Sequence, residues 1–159
     1  MNTVYLLLGS NMGDSSKRLS HARKMIEKNI GEIVKESSIY RTAAWGKEDQ
    51  PDFLNQIVVA TSKLFAEDVL KKIFSIEKEM GRIRTFKNAA RFIDIDILFF
   101  NDDVIDTESL TVPHSQIHNR KFVLTPLVEI APDLIHPLLK KSAVELLNSC
   151  SDKLNVQKI

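Results

Sequence analysis

Two aspartates stand two residues apart in the run Arg91-Phe92-Ile93-Asp94-Ile95-Asp96-Ile97-Leu98-Phe99-Phe100, which otherwise suits a buried β-strand. Side chains alternate between the faces of a strand. Ile93, Ile95, Ile97 and Phe99 would therefore share an apolar face, and Phe92, Asp94, Asp96, Leu98 and Phe100 the other. Residues two apart along a strand sit roughly 6.5–7 Å from each other. At an effective dielectric of about 20, two carboxylates at that spacing repel by about 2–3 kcal/mol. A wet edge tolerates that, and so does a bound divalent cation. The apolar content of the run argues for a central place in a sheet. With no histidine or cysteine at ligand spacing, the pair offers hard oxygen donors, which suits Mg²⁺ shared with phosphates and water.

The residues just upstream supply an anion's counter-charge. Arg82, Arg84, Lys87 and Arg91 fall within ten positions after Gly81 and could grip a polyphosphate whose metal rests on the aspartates. Taken alone, they read as a solvated basic loop balanced by Glu77 and Glu79. A second basic patch runs from Thr111-Val112-Pro113-His114 to His118, Asn119 and Arg120. His114 and His118 are four apart and on a helix could bind zinc, but Pro113 and the lack of a nearby third ligand argue against it. A histidine and the arginine aimed at phosphate, or side chains simply hydrogen-bonded in the fold, are the other readings. The turn Gly9-Ser10-Asn11-Met12-Gly13 lacks the lysine that ends a phosphate loop. It reads as a strand-to-helix turn. Trp45, Phe53 and Phe122 suit a core, or a flat heterocycle stacked between rings with Asn55 reading its edge.

Hydrophobic spacing outlines the elements that must hold these groups. Apolar runs predict strands at 4–8, 33–40, 53–62 and through the aspartates. Helical spacing marks residues 15–29, with the stripe Leu19, Ala22, Met25 and Ile26, and residues 66–80, with Val69, Ile73, Ile76 and Met80. Asp14 is a candidate N-cap, and Gly31 and Gly81 are stop signals. Residues 42–52 form an irregular loop, 106–111 a short pair, 124–130 and 143–147 helices, and the tail after 149 is loosely held. The order βαββαβ is that of an α+β, ferredoxin-like core: an antiparallel sheet with helices packed on it, plus C-terminal additions.

Composition narrows the class without naming a chemistry. The 159 residues predict one domain, 1–159, with ordinary hydrophobic and charged content. A net charge of +1 provides no global field for nucleic acid or membranes. One cysteine, Cys150, fits a reducing compartment, and the apolar start is too short for a leader or a membrane span. A cytoplasmic location is expected.

In order and spacing, these segments resemble the 6-hydroxymethyl-7,8-dihydropterin pyrophosphokinases of folate synthesis. The resemblance is carried by Leu8-Gly9-Ser10-Asn11, residues 38–42, Asp49 through Asn55, and Glu77 with Gly81-Arg82-Ile83-Arg84. It continues in Arg91 through Asp96, Leu110 through His114, Asn119-Arg120, and Pro126 through Pro132. It implies transfer of pyrophosphate from ATP to the pterin's hydroxymethyl group, releasing AMP. By that resemblance Arg82, Arg91, Asp94 and Asp96 are catalytic, with two Mg²⁺ ions on Asp94 and Asp96. Glu77, Arg84, Lys87, Ile97, Thr111, His114 and Arg120 would bind ATP. Thr42, Ala43, Trp45, Phe53, Asn55 and Phe122 would frame the pterin. It also implies small-molecule substrates, no nucleic-acid or membrane partner, and a monomer. Asn88-Ala89-Ala90 replaces the tryptophan-glycine-proline usual in the family, and the loop is one residue shorter. Two other classes fit the bare motifs: a non-catalytic ferredoxin-like ligand-binding module, and a metal-dependent phosphohydrolase using the same acids.

Overall fold

The computed structural model describes residues 1–43, 51–81 and 93–159. Strand β1 (Asn2–Ser10) leads into helix α1 (Ser15–Asn29), whose first turn is capped by Asp14 accepting from the Lys17 N–H at 3.2 Å. A cap of this kind is worth about 1 kcal/mol. Strands β2 (Glu32–Glu36), β3 (Tyr40–Thr42) and β4 (Phe53–Ser62) follow, then helix α2 (Ala66–Glu79) and strand β5 (Asp94–Phe100). The C-terminal third adds the small hairpin β6 (Ile105–Asp106) and β7 (Thr111–Val112), helices α3 (Lys121–Ile130) and α4 (Ala143–Asn148), and strand β8 (Val156–Lys158).

The main sheet runs β5-β1-β4-β3-β8, with β2 also paired to β4, and every pairing is antiparallel. Two layers cover it. Leu6, Leu8, Val58, Ile95 and Ile97 pack beneath α1 and α2 through Leu19, Ala22, Ile26, Val69, Ile73 and Ile76. On the opposite face, Leu7, Ile57, Leu98 and Phe99 meet Val123, Leu124 and Leu127 of α3 and Leu146 of α4. The expected ferredoxin-like α+β core is therefore present, with the C-terminal additions covering part of the second face. Among the described residues, no helix is long and apolar enough to cross a membrane.

Four expectations need correction. The strand expected at 33–40 breaks at Ser37–Ile39, where the Ser37 hydroxyl accepts from the Ile57 N–H at 3.0 Å and its carbonyl accepts from Gln56. A side chain there replaces part of the ladder. The aspartate strand lies at the sheet's edge, not its centre. Helix layers bury both of its faces, which is why it reads as an interior strand. Its alternation also fails: the pairing shifts register between Tyr5 and Leu6, opposite Leu98. This β-bulge moves Phe99 to the α3 face and Phe100 to the α1/α2 face. Finally, the tail after 149 is not loose throughout, because β8 pairs with β3 from Val156 to Lys158.

His136 anchors the segment between α3 and α4. Its Nδ1 accepts from the Leu138 and Leu139 N–H groups at 3.2 and 3.1 Å, and its ring meets Phe99 edge-on, 5.8 Å between centroids. Burial, reinforced by nearby His118, pushes its pKa below the ordinary 6.5. Below that ordinary value the unfolded chain takes up the proton more readily than the folded one, so stability falls as the medium is acidified. Thermal melts at pH 7.5 and 5.5 should therefore show a smaller acid loss for His136→Asn than for the parent chain. Equal losses would contradict this role for His136.

Candidate active site

One row of residues crosses the sheet on the face opposite α1 and α2. Tyr40 of β3 pairs with Asn55 of β4, Asn55 with Gly9 of β1, and Gly9 with Asp94 of β5. Thr42 and Phe53 continue the row's face on one side, and Asp96, opposite Leu7, lies one step along β5. Neighbouring strands are about 4.8 Å apart, so the Asn55 and Asp94 backbones flank Gly9 about 10 Å from each other. Antiparallel register thus sets amide and acids on one surface, separated by a residue with no side chain. A Cβ on Gly9 would lie 2.7 Å from Asn55 Nδ2. That Nδ2 donates to the Leu8 carbonyl at 3.3 Å, which fixes how the amide is turned. Thr42 is buried beside it, and its hydroxyl has no hydrogen-bond partner among the described residues. Asn11, also buried, donates to the Pro51 carbonyl at 3.3 Å and ties down the chain entering β4.

At the acid end, an edge strand must satisfy its outward backbone groups. Glu77 of α2, only 2% exposed, accepts from the Ile95 N–H at 2.9 Å. The His114 N–H donates to the Leu98 carbonyl at 3.0 Å. His114 Nδ1 accepts from the Gln116 N–H at 3.1 Å, leaving Nε2 for other contacts. Burial lowers the His114 pKa, the Arg120 charge lowers it further, and Asp94 opposes both. The histidine thus sits within the fields of a cation and one of the acids. Arg120 lies over the Phe122 ring, 5.8 Å from its centroid. Thr111 is exposed, opposite Asp106 in the small hairpin.

The structure brings together Thr42, Phe53, Asn55, Asp94 and Asp96 on one face, and Glu77 meets the β5 backbone from α2, in the layer on the opposite face. The Ile97 side chain is not brought to the site face, since that residue is buried in the core under α1 and α2. Ala43 follows β3 and is exposed. Trp45, Arg82, Arg84, Lys87 and Arg91 lie outside the described residues. His118 belongs to a short 3₁₀ turn (Ile117–Asn119), and its buried Nδ1 has no partner among the described residues. No cluster of three histidine, cysteine, aspartate or glutamate side chains that could hold a metal occurs among the described residues. For Mg²⁺ the donor set fits: two carboxylates, half-buried on one strand face, with the remaining positions left to phosphate oxygens and water. Sequence reading held Gly9, Tyr40 and Glu129 within the segments that carry the resemblance but gave none of them a role. Their signals were faint: a glycine interrupting an apolar strand, and one acid within Pro126-Leu127-Val128-Glu129-Ile130.

The family model of 7,8-dihydro-6-hydroxymethylpterin-pyrophosphokinase matches residues 5–132. The chain belongs to this family. Its relatives include a 2-amino-4-hydroxy-6-hydroxymethyldihydropteridine pyrophosphokinase of Aquifex aeolicus, 47% identical over 91% of this chain and 90% of that protein. Folic acid synthesis protein fol1 of Schizosaccharomyces pombe is 38% identical over 91% of this chain, which spans only 20% of that longer protein. Among solved structures, an HPPK-DHPS chain of Plasmodium falciparum crystallised with pteroate superposes with a TM-score of 0.77. It is 19% identical, with 92% of this chain and 44% of that chain covered, and this likeness bears on the fold alone.

Proposed function

We propose that residues 1–159 act as a single pyrophosphokinase domain, transferring pyrophosphate from ATP to the hydroxymethyl group of 6-hydroxymethyl-7,8-dihydropterin. The observation that carries this reading is the row Asn55–Gly9–Asp94. It offers one surface for a heterocycle and another for metal and phosphate, about 10 Å apart. In the reaction the hydroxymethyl oxygen bonds to the β-phosphorus of ATP. The bond from that phosphorus to the α,β-bridging oxygen breaks, AMP departs, and the hydroxyl proton is released.

Such a transfer depends on positioning and charge neutralisation more than on a covalent residue. Asn55 and Thr42 would hydrogen-bond the pterin edge, with Ala43 beside them, while Phe53, Phe122 and Trp45 enclose its faces. Asp94 and Asp96 would hold two Mg²⁺ ions, which supply charge neutralisation at the triphosphate. Arg82 and Arg91 would stabilise the negative charge of the group in transit, and Arg84 and Lys87 would grip the phosphates. Glu77 would hold the edge of β5 in place beneath the nucleotide, with Ile97 behind it. Thr111, His114 and Arg120 would contact ATP.

Incubation with ATP, Mg²⁺ and the hydroxymethyl dihydropterin tests the proposal. AMP and a diphosphorylated pterin should form in equal amounts. ATP consumption independent of the pterin would indicate a phosphohydrolase instead, and nucleotide binding indifferent to Mg²⁺ would indicate a ligand-binding module.

A further inference from the structure

Glu129 stands on α3, away from the acid pair, yet its carboxylate gathers donors from several parts of the sheet. Oε1 accepts from the Ser38 N–H at 2.8 Å and from the Tyr40 hydroxyl at 3.1 Å. Oε2 accepts from the Ser38 hydroxyl at 2.6 Å and faces Lys158 Nζ of β8 at 3.3 Å. Burial pushes the carboxyl pKa up, but the bonds from Ser38, Lys158 and Tyr40 outweigh it and hold it below the usual range. The Tyr40 hydroxyl responds in the opposite sense, pushed up to about 12 by burial and by the Glu129 charge and bond. The carboxylate is thus ionised and the phenol protonated at neutral pH, which the bond between them requires.

The place of this knot matters more than its strength. Ser38 lies in the break between β2 and β3, where the ladder to β4 is interrupted. Strand β3 is only three residues long, and it carries Thr42 and pairs with Phe53 and Asn55. Tyr40 pairs directly with Asn55, so its side chain shares the site face. A strand this short is held by three-residue ladders to β4 on one side and to the equally short β8 on the other. Glu129 ties both short strands to α3, β3 through Ser38 and Tyr40 and β8 through Lys158.

We propose that Glu129 is a positioning residue of the acceptor pocket, fixing β3 through Ser38 and Tyr40 so that Thr42 and Asn55 meet the pterin in register. This inference rests on the proposed function. It distinguishes the two substrates, because the acid-bearing strand β5 is three strands away across the sheet.

The test uses Glu129→Gln and the milder Tyr40→Phe, which removes one donor and keeps the ring. Pterin binding is measured by titration calorimetry and turnover by AMP release. Glu129→Gln should raise the KM and Kd for the pterin about tenfold, and Tyr40→Phe about threefold. KM for ATP and kcat at saturating pterin should stay within about twofold for both. If Glu129→Gln does not fold, Tyr40→Phe alone decides. Unchanged pterin constants, or a parallel loss in both substrates and kcat, would overturn the assignment while leaving the parent activity standing. A parent chain that neither binds nor converts the pterin would remove the functional reading and this inference together.

Discussion

Asp96→Ala is expected to lower AMP formation by about 1000-fold, roughly 4 kcal/mol of transition-state stabilisation, with a thermal transition within a few degrees of the parent's. The argument is electrostatic first. Two carboxylates at roughly 7 Å on one strand face repel by about 2–3 kcal/mol at an effective dielectric of 20. Asp96 is half-buried rather than enclosed, and it lies on an edge strand whose own anchors are Ile95 to Glu77 and Leu98 to His114. Truncating it removes none of those bonds, so the fold should survive. Asp94→Ala should behave alike, and the double variant should lose little beyond either single change, because the two acids serve one metal-phosphate unit. Parent-like AMP production by either single variant would defeat the assignment of the acids.

The sequence was most legible where local chemistry decided the structure. Asp14 caps α1, the stripe Leu19, Ala22 and Ile26 is its buried face, and residues 53–62 are a strand to the residue. The acids and the amide of Asn55 were likewise visible as residue types, Thr42 entered through the family resemblance, and register set them on one surface. What stayed hidden was decided at long range. The break at Ser37–Ile39 depends on a hydroxyl bonding to Ile57 and on Glu129, some 90 positions further along the chain. Strand β8 is three residues long and mostly exposed, so only its pairing to β3 reveals it. The bulge at Leu98 left the hydrophobic composition of β5 intact while exchanging the faces of Phe99 and Phe100. The edge position of β5 was masked because helices on both sides give it an interior strand's composition.

Gly9→Ala should raise the KM for the pterin about 100-fold, with KM for ATP altered by less than about threefold. The alanine Cβ would meet Asn55 Nδ2 at 2.7 Å, well inside van der Waals contact, whereas the nearest backbone atom is the Leu54 carbonyl oxygen at 3.9 Å. The strand itself therefore has room, and the side chain of Asn55 must give way. Moving it breaks the bond to the Leu8 carbonyl, which costs stability by about 1 kcal/mol and leaves the protein folded. The greater loss falls on recognition, because an amide displaced by about 1 Å no longer meets a rigid heterocycle's edge. This effect has a signature that general damage to the site lacks. If Gly9 acts only by leaving space for the Asn55 amide, then in an Asn55→Ala background the Gly9→Ala change should do almost nothing. The double variant should match Asn55→Ala alone, a strongly non-additive cycle. Additive losses in pterin KM would mean that Gly9 serves the site by another route, such as direct approach of the substrate between the amide and the acids.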